Sequence, residues 1–261
     1  MPRISRRRFL QLAGSGLLVA QSPYLLAQPT KKKLGIALLG LGNYSTNLLA
    51  PALQHTKHCE LRGIITGTES KIPKWQRQHG IKESNVYTYR TMDDIVNNDD
   101  IDVIYVVTPT GTHKDFAVKA ANTGKHVWCE KPMAMDSEEC QAIIDACNKN
   151  NVTLSIGYRM QHEPNTRTFH QYIDTKPYGE ITAVSSFAGY SGQGRSPDNW
   201  RMQKHMGGGA LYDMGVYAIN GARFLTGREP VAVIGSHPPQ RFPDKFTEVD
   251  ETTLFTMDFG D

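Results

Sequence analysis

The sequence predicts an α/β protein in which a doubly wound parallel sheet is followed by a second, α+β domain with an open, largely antiparallel sheet. From Leu34 onward, short apolar runs alternate with amphipathic stretches, as they do in repeated βαβ units. The run Ile101–Val107 is almost continuously apolar, which is typical of a central parallel strand covered on both faces. After Gly157 the alternation gives way to polar and glycine-rich segments. We therefore predict domains at 34–156 and 157–261.

Each element of the first domain has a local signal. The predicted strands are Leu34–Leu39, Glu60–Thr66, Ile101–Val107, His126–Cys129 and Val152–Ile156. The predicted helices are Tyr44–Gln54, Ser70–His79, Thr112–Thr123 and Asp136–Asn150. Gly80 and Gly124 stand where helices should stop, and Asp136 with Glu139 forms an N-terminal capping box. Pro51 should kink the first helix, because its ring cannot donate a backbone hydrogen bond.

The second domain shows one helix and one strand. A helix over Leu211–Leu225 would end at Gly227. Its predicted core stripe is Leu211, Met214, Ala218, Ala222 and Leu225. Thr253–Phe259 alternates as a half-buried strand does, with Phe255, Met257 and Phe259 on one face. No partner strand follows it in the sequence, so we expect this sheet to be truncated or unusually small.

The first 27 residues are predicted to be an export signal. Ser5-Arg6-Arg7-Arg8-Phe9-Leu10 is similar to a twin-arginine motif and precedes a moderately apolar run. Polar residues and glycines interrupt that run well short of about 20 apolar residues, which argues against an anchoring helix. Cleavage after Ala27 leaves a short arm at 28–33, although Leu25 fits a cleavage site poorly and a retained signal stays open. The expected location is the periplasm, with no stable membrane anchor.

Charge and cysteine usage exclude two classes of partner. The 261 residues carry a formal charge of +3, but four arginines lie in residues 1–27, and the remaining 25 basic and 26 acidic residues leave −1. A near-neutral body without a basic stripe gives no footprint for nucleic acid. The four cysteines are Cys59, Cys129, Cys140 and Cys147. They form no C-x-x-C pair, and no histidines lie at the spacing of a zinc site, so we expect buried thiols and no metal site.

A glycine loop follows the first strand and opens the first helix. In Gly40-Leu41-Gly42-Asn43-Tyr44-Ser45, Gly40 permits a tight turn and Gly42 lets backbone approach a pyrophosphate. Ser45 stands where a third glycine would be. A plain βα turn is the alternative, but the strand-turn-helix context favours dinucleotide binding.

The tip of the second strand bears on which dinucleotide binds. An acid there favours NAD, whereas cations and hydroxyls accommodate a 2′-phosphate. Thr66, Ser70 and Lys71 can donate to phosphate, and Gly67 lies between them. NADP is therefore favoured over NAD, with Glu69 as the main counterweight. A solvated helix start is the alternative for Lys71.

Two further patterns suggest proton chemistry. Glu130-Lys131-Pro132 lies just past a strand, at the edge where open α/β sheets bind ligands. A lysine near a nicotinamide cation can have a lowered pKa and exchange a proton with a hydroxyl. Asp213 and Tyr217 are four residues apart and share one helix face. A loop lysine and an ordinary helix-surface pair are the alternatives.

These residues together resemble the Gfo/Idh/MocA oxidoreductase family, most closely its exported glucose-fructose oxidoreductase branch. The resemblance runs from about Lys33 to Asp261. It is carried by Gly40 to Gly42, Thr66 to Lys71, Thr108-Pro109 to His113, Gly124 to Pro132, Gly157-Tyr158-Arg159, Asn199-Trp200-Arg201, Gly207 to Gly209 and Asp213 to Tyr217. It implies hydride transfer between a sugar and bound NADP. Lys131 and Tyr217 would lie near the reacting carbon, Asp213 would position the substrate, and Arg159, Trp200 and Arg201 would line the cofactor site.

The resemblance leaves three functions open. The favoured one is a retained-NADP oxidoreductase that oxidises one aldose and reduces a second sugar. The alternative is a nicotinamide-dependent glycosidase or epimerase, which oxidises its sugar transiently. A non-enzymatic sugar-binding protein would be expected to lack Lys131 or the glycine loop. Two departures from the branch are the short arm and the C-terminal sheet, which in relatives continues and forms a homo-oligomer interface.

Overall fold

The computed structural model describes residues 33–192 and 194–260, which form a six-stranded parallel sheet and a separate two-stranded antiparallel sheet. The predicted signal at 1–27 and all of the arm except Lys33 lie outside the described residues. The parallel strands are β1 (Leu34–Leu39), β2 (Cys59–Thr66), β3 (Val86–Thr88), β4 (Val103–Val106), β5 (His126–Cys129) and β6 (Leu154–Ile156). Their order, β3-β2-β1-β4-β5-β6, is that of a dinucleotide-binding Rossmann sheet.

The α-helices flank and follow this sheet. They are α1 (Ala50–Leu53), α2 (Ile72–His79), α3 (His113–Asn122), α4 (Ser137–Lys149), α5 (Pro164–Thr175) and α6 (Val216–Thr226). The predicted capping box is present, because Asp136 Oδ1 accepts from the Glu139 N–H at 2.8 Å. The predicted stops are also present: Gly80 and Gly227 cap α2 and α6 with φ of 65° at both positions.

Alternating side chains of the parallel strands build two apolar clusters on opposite faces of the sheet. Ile36 and Leu38 of β1 belong to one cluster, and Ala37 and Leu39 belong to the other. All four side chains are fully buried. A strand that is apolar on both faces stays dry only between two helical layers, which is the arrangement predicted from Ile101–Val107.

The sequence prediction was incomplete in two places in this domain. β3 was not predicted, since it has three residues and pairs only with Ile64–Thr66 of β2. The first helical stretch starts at Asn43 and contains a π-helical turn, Ser45–Leu49, before α1. Pro51 lies inside this continuous stretch, two residues after the π-helical turn, which is a local distortion next to the proline.

The second region contains β7 (Ala232–Ser236) and β8 (Leu254–Asp258), paired antiparallel. The predicted alternation is present in β8, where Phe255 and Met257 are half-buried between exposed neighbours. Its partner β7 was not predicted and is exposed throughout. The predicted core stripe on the 211–226 helical stretch is wrong in part, because only Ala222 of its five residues is buried. The others are half-buried, and Met214 and Ala218 line a broad open concavity shared with β8.

The described residues contain neither a helix fit to cross a membrane nor a cluster fit to hold a metal ion. No helix within 33–192 or 194–260 is long and apolar enough to cross a membrane. The same residues contain no group of three or more His, Cys, Asp or Glu side chains placed to hold a metal ion.

Candidate active site at the carboxyl edge of the parallel sheet

The glycine loop lies directly after β1, beside the crossover between β1 and β4. Gly40 has φ +97°, and a Cβ there would come within 2.6 Å of the Val107 carbonyl oxygen. The buried Ser45 hydroxyl donates to the Gly40 carbonyl at 2.5 Å, so a small polar side chain secures the turn. Gly42 is exposed, and a Cβ added to it would meet no atom within 4 Å. The loop therefore offers bare backbone facing open space, which fits a dinucleotide pyrophosphate.

The other two residues of the loop differ in environment. Asn43 is exposed, and its side chain accepts a hydrogen bond from Asn47 at 2.6 Å. Tyr44 is half-buried, and burial, with the nearby charge of Glu130, raises the pKa of its phenol to about 12. Leu41 buries its side chain in the core. Of the side chains of this loop, that of Tyr44 is the one whose pKa responds to the charges of Glu130 and Arg159.

The end of β2 is tied to the glycine loop by Lys71. Its ammonium donates to the Leu41 carbonyl at 2.9 Å. Thr66 is buried, and its hydroxyl accepts from the Thr68 N–H at 3.0 Å. Gly67 lies against the Tyr89 ring, and Ser70 is exposed. The structure thus brings the predicted 2′-phosphate donors to the same edge as the glycine loop.

The loop after β4 is braced by a buried histidine. His113 places one ring nitrogen 2.8 Å from the Thr108 carbonyl oxygen and the other 2.8 Å from the Pro132 carbonyl oxygen. Burial lowers the pKa of the imidazole. Pro109 precedes the turn, and Thr112 donates to the Thr108 hydroxyl at 2.8 Å. His113 therefore connects the loop after β4 to the loop that carries Lys131, and its side chain lies inside the protein.

The three residues predicted to be catalytic meet in one cluster. Lys131 Nζ donates to the Asp213 backbone carbonyl at 2.5 Å and lies 3.5 Å from Asp213 Oδ1. The same ammonium lies 4.4 Å from the centre of the Tyr217 ring. The Lys131 and Asp213 side chains are each only 9% exposed. Residues 82 positions apart are thus joined in a largely dry pocket.

Burial and neighbouring charges set the protonation of this cluster. Burial lowers the pKa of Lys131, although the carboxylate of Asp213 works in the opposite direction. Burial works to raise the pKa of Asp213, but the charge of Arg201 and hydrogen bonds from its neighbours outweigh it, so that pKa lies below its ordinary value. The pKa of Tyr217 is raised by burial. Burial therefore favours the neutral form of both Lys131 and Tyr217, and Asp213 stays ionised.

Glu130 lies on the sheet side of this cluster. Its carboxylate accepts from the Tyr105 hydroxyl at 2.5 Å and from the Lys131 N–H at 3.3 Å. A Cβ on Gly157 would stand 2.8 Å from Glu130 Oε1, so this approach requires glycine. Burial raises the pKa of Glu130, with these hydrogen bonds opposing it. The Glu130 carboxylate thus holds the Lys131 backbone N–H from the sheet side of the cluster.

Three residues after the parallel sheet complete the cleft. The Arg201 Nε–H donates to Asp213 Oδ2 at 2.8 Å, and the Arg201 guanidinium lies 4.3 Å from the centre of the Trp200 ring. The positive charge of Arg159 acts to lower the pKa of Tyr217, against the larger effect of burial. Arg201 thus contacts Asp213 directly, and Trp200 lies beside Arg201; the expectation that the three residues line the cofactor site stays a prediction.

The segment Gly207–Gly209 seats the second region against the first at close range. A Cβ on Gly207, which has φ +75°, would stand 2.6 Å from the Thr110 Cβ. One on Gly209, φ +100°, would collide with the Asp250 carboxylate. That carboxylate accepts from the Leu211 N–H at 2.8 Å, at the start of a π-helical turn, Leu211–Gly215. Asp213 lies in this turn, and π-helical turns are frequent at functional sites.

Sequence reasoning missed three residues of the site. Tyr190 donates a short hydrogen bond to Asp213 Oδ2, although it lies 23 positions earlier in a segment with no helix or strand. Tyr105 supports Glu130 from β4, and Asp250 caps the turn that carries Asp213. Only Tyr105 had a usable signal, as a polar-tipped residue within an otherwise apolar central strand.

Comparison with known proteins agrees with this geometry. The model of the oxidoreductase family with an NAD-binding Rossmann fold matches residues 34–158, and that of the GFO/IDH/MocA C-terminal domain matches residues 166–261. Aldose-aldose oxidoreductase from Caulobacter crescentus, solved in complex with glycerol, superposes with a TM-score of 0.79 at 35% identity. The match covers 86% of this chain and 67% of that one.

Two other relatives illustrate the range of the match. D-xylose 1-dehydrogenase [NADP(+)] from Haloarcula marismortui is 30% identical over 234 residues, which is 88% of this chain and 64% of the relative. This chain thus spans somewhat less than two thirds of that protein's length. Scyllo-inositol dehydrogenase from Lactobacillus casei, solved with NAD(H) and scyllo-inositol, shares the fold at 24% identity, with a TM-score of 0.74 over 87% of this chain and 66% of that one. The chain belongs to the Gfo/Idh/MocA family of oxidoreductases.

Proposed function

We propose that this protein is a sugar oxidoreductase that uses a bound nicotinamide dinucleotide. One observation carries the proposal: the Lys131 ammonium lies in a dry pocket between Asp213 and Tyr217, at the sheet edge that also holds the glycine loop. The names of the Caulobacter and Haloarcula relatives support an aldose as the substrate class. The dinucleotide, when bound along Gly40–Gly42, accepts or donates a hydride, which carries two electrons.

The residues of this chain manage the proton. When a sugar C–H bond gives up hydride, the hydroxyl on the same carbon must lose a proton for the carbonyl to form. Burial favours the neutral form of Lys131, and this form accepts that proton. Asp213 stabilises the resulting ammonium and offers an oxygen to a sugar hydroxyl. Tyr217 stays protonated, since its pKa is raised, and donates a hydrogen bond to the sugar.

The finer choice of dinucleotide in this proposal is NADP. Lys71 lies at the tip of β2, with the exposed Ser70 beside it. An ammonium and a hydroxyl suit a 2′-phosphate better than a ribose hydroxyl. The printed cofactor of the Haloarcula relative supports the same choice. Glu69, which is exposed beside these residues, is the feature that favours NAD.

The proposal extends to export and to recycling of the dinucleotide. The arginines near the N-terminus support twin-arginine export, which moves folded proteins to the periplasm. The periplasm offers no obvious supply of NADP, so the dinucleotide would be loaded beforehand and retained. A second sugar would then take back the hydride and a proton in the same cleft. Paired oxidation and reduction of two sugars consumes no free dinucleotide.

The test begins with protein purified without added nucleotide. Denaturation followed by mass spectrometry of the released small molecules should detect NADP or NADPH. An aldose should then raise the nicotinamide absorbance, and a second sugar should remove it. Protein prepared in parallel with Lys131→Met should release the same dinucleotide but show neither change.

Two results would redirect the proposal. A preparation that releases no dinucleotide on denaturation and works only with supplied NAD(P) would replace recycling by an ordinary dehydrogenase reaction. The alternative function, a glycosidase or epimerase, predicts no net aldonate or polyol from any sugar pair. Product analysis by chromatography separates that alternative from the proposed reaction.

A further inference from the structure

The Asp213 carboxylate accepts hydrogen bonds from side chains that lie outside its own helical stretch. Its Oδ2 accepts from the Arg201 Nε–H at 2.8 Å and also from the Tyr190 hydroxyl. Its Oδ1 is left to face Lys131 Nζ at 3.5 Å. A carboxylate with one oxygen bound twice has little freedom to rotate about its last torsion. The direction of Oδ1 is therefore set by the two donors on Oδ2.

Tyr190 lies on a different part of the chain from the other members of the site. It lies on a segment outside the parallel sheet and outside the helical stretch that carries Asp213. The residue is 47% exposed, and the Arg195 guanidinium lies over its ring at 4.7 Å from the ring centre. Burial, followed by the hydrogen bond to Asp213, raises the pKa of its phenol to about 12. Tyr190 therefore remains a donor throughout the physiological range.

A hydroxyl that donates to a carboxylate stabilises the ionised form of that carboxylate. Arg201 donates to the same oxygen and stacks on Trp200, so its position is fixed independently of Tyr190. Removal of the Tyr190 hydroxyl would leave the ion pair with Arg201 in place. It would also free part of Oδ2 and make protonation of Asp213 easier.

We propose that Tyr190 is a positioning residue that acts through Asp213 on Lys131. It keeps the Asp213 carboxylate ionised and turned so that Oδ1 faces the Lys131 ammonium. The catalytic step assigned to Lys131 rests on the proposed function, whereas the Tyr190–Asp213 hydrogen bond does not. Tyr190 itself moves no proton in this scheme.

The experiment compares Tyr190→Phe with the full-length protein. Phenylalanine keeps the ring that stacks under Arg195 and removes only the hydroxyl. The matched control is Tyr178→Phe, because Tyr178 is 90% exposed and lies outside the site. Circular dichroism and the unfolding midpoint are recorded first, and both variants should match the parent.

The first readout is titration of the Asp213 carboxyl carbon by NMR in protein with labelled aspartate. Its signal is assigned by its loss in Asp213→Asn. We expect Asp213 to titrate at higher pH in Tyr190→Phe and to be unchanged in Tyr178→Phe. An Asp213 titration identical to that of the parent would overturn the proposal. This readout needs no catalysis, so absence of sugar oxidation would contradict the proposed function alone.

The second readout is the pH profile of sugar oxidation. A lost hydrogen bond to a charged group typically reduces kcat by roughly tenfold, with a smaller effect on KM. The acid limb of kcat/KM, which reports loss of the Lys131 proton, should move to lower pH in Tyr190→Phe, because a carboxylate turned away from the ammonium stabilises it less. A uniform loss of activity with an unshifted acid limb would show a merely structural role for Tyr190.

Discussion

The two halves of the described chain hold their parts of the site by different means. The parallel sheet places Lys131 just after the end of β5, next to a sheet whose two faces carry clusters of buried apolar side chains. In residues 157–192 and 194–260, the buried apolar side chains are Met202, Ala222 and Val249. There Asp213 is held instead by hydrogen bonds, ion pairs and close backbone contact. Apolar burial fixes the lysine, and polar contacts fix its partners.

The largest expected effect tests the apolar half. Leu38→Ala removes a fully buried side chain of β1 and should lower the free energy of unfolding by about 2–5 kcal/mol. The matched variant Leu254→Ala lies on β8, where the side chain is 58% exposed, and should cost no more than about 0.5 kcal/mol. Urea unfolding measures both. Equal losses would mean that β8 is as well buried as β1, which would remove the contrast between the halves.

The next prediction concerns Lys131, which the apolar half of the chain places in the site. Lys131→Met should lower turnover by roughly 100-fold or more, since general acid-base assistance is typically worth that much. Dinucleotide content and the unfolding midpoint should remain near those of the parent. Lys114→Met, at an exposed lysine on α3, is the control and should leave turnover unchanged. Unaltered turnover in Lys131→Met would remove Lys131 from the chemistry.

The polar half supplies two residues whose effects should differ in kind. Tyr217→Phe removes the exchangeable proton but keeps the ring over Lys131, so kcat should fall by roughly tenfold or more with little change in KM. Asp213→Asn also weakens sugar binding and should raise KM as well. Steady-state kinetics with one aldose separates the two patterns. An effect of Tyr217→Phe on KM alone would assign that residue to binding.

A smaller effect is expected at the edge where β2 meets the glycine loop. Lys71→Ala removes an ammonium and should weaken NADP binding by roughly tenfold, the usual value of one charge-assisted hydrogen bond. NAD binding should change much less. Lys74→Ala, three residues further on at an exposed position, is the control. If the affinities for NADP and NAD fell equally, Lys71 would act by holding the glycine loop through its hydrogen bond to the Leu41 carbonyl.

The smallest expected effect is a shift along the pH axis. Sugar oxidation should rise with pH as Lys131 loses its proton, with a midpoint below that of an ordinary lysine, because burial lowers its pKa. The charge of Asp213 opposes this lowering, so Asp213→Asn should move the midpoint to lower pH. A midpoint that stays in place or rises would contradict the assignment to Lys131.

The same lowered pKa has a defined effect on stability. The unfolded chain binds the Lys131 proton more tightly than the folded protein does. The contribution of Lys131 to the free energy of unfolding therefore increases as pH rises from its lowered pKa to the ordinary lysine value. Below that interval both states are protonated, and the full desolvation cost of the ammonium remains. Urea unfolding of the parent and Lys131→Met across this interval measures the difference.

The sequence was informative where the signal was local. β1 was predicted with its observed bounds, and the cap at Asp136 was found, because periodicity and capping depend on near neighbours. β3 and β7 were missed, since each acquires its strand geometry from a partner strand. The contact of Tyr190 with Asp213 spans 23 residues and leaves no periodic trace. Spacing did place Asp213 and Tyr217 together, yet it could not show that Lys131 lies between them.

The glycine contacts between the two halves have a consequence for how this site can change. A Cβ on Gly207 would stand 2.6 Å from the Thr110 Cβ, and one on Gly111 would stand 2.5 Å from the His205 carbonyl oxygen, so the alignment depends on two positions that have no side chain. Side chains elsewhere around the cleft can then be exchanged without moving Asp213 relative to Lys131. Substrate choice and proton transfer are therefore separable traits. A library that varies the cleft walls but leaves these glycines untouched is expected to yield altered sugar preference with the proton chemistry intact.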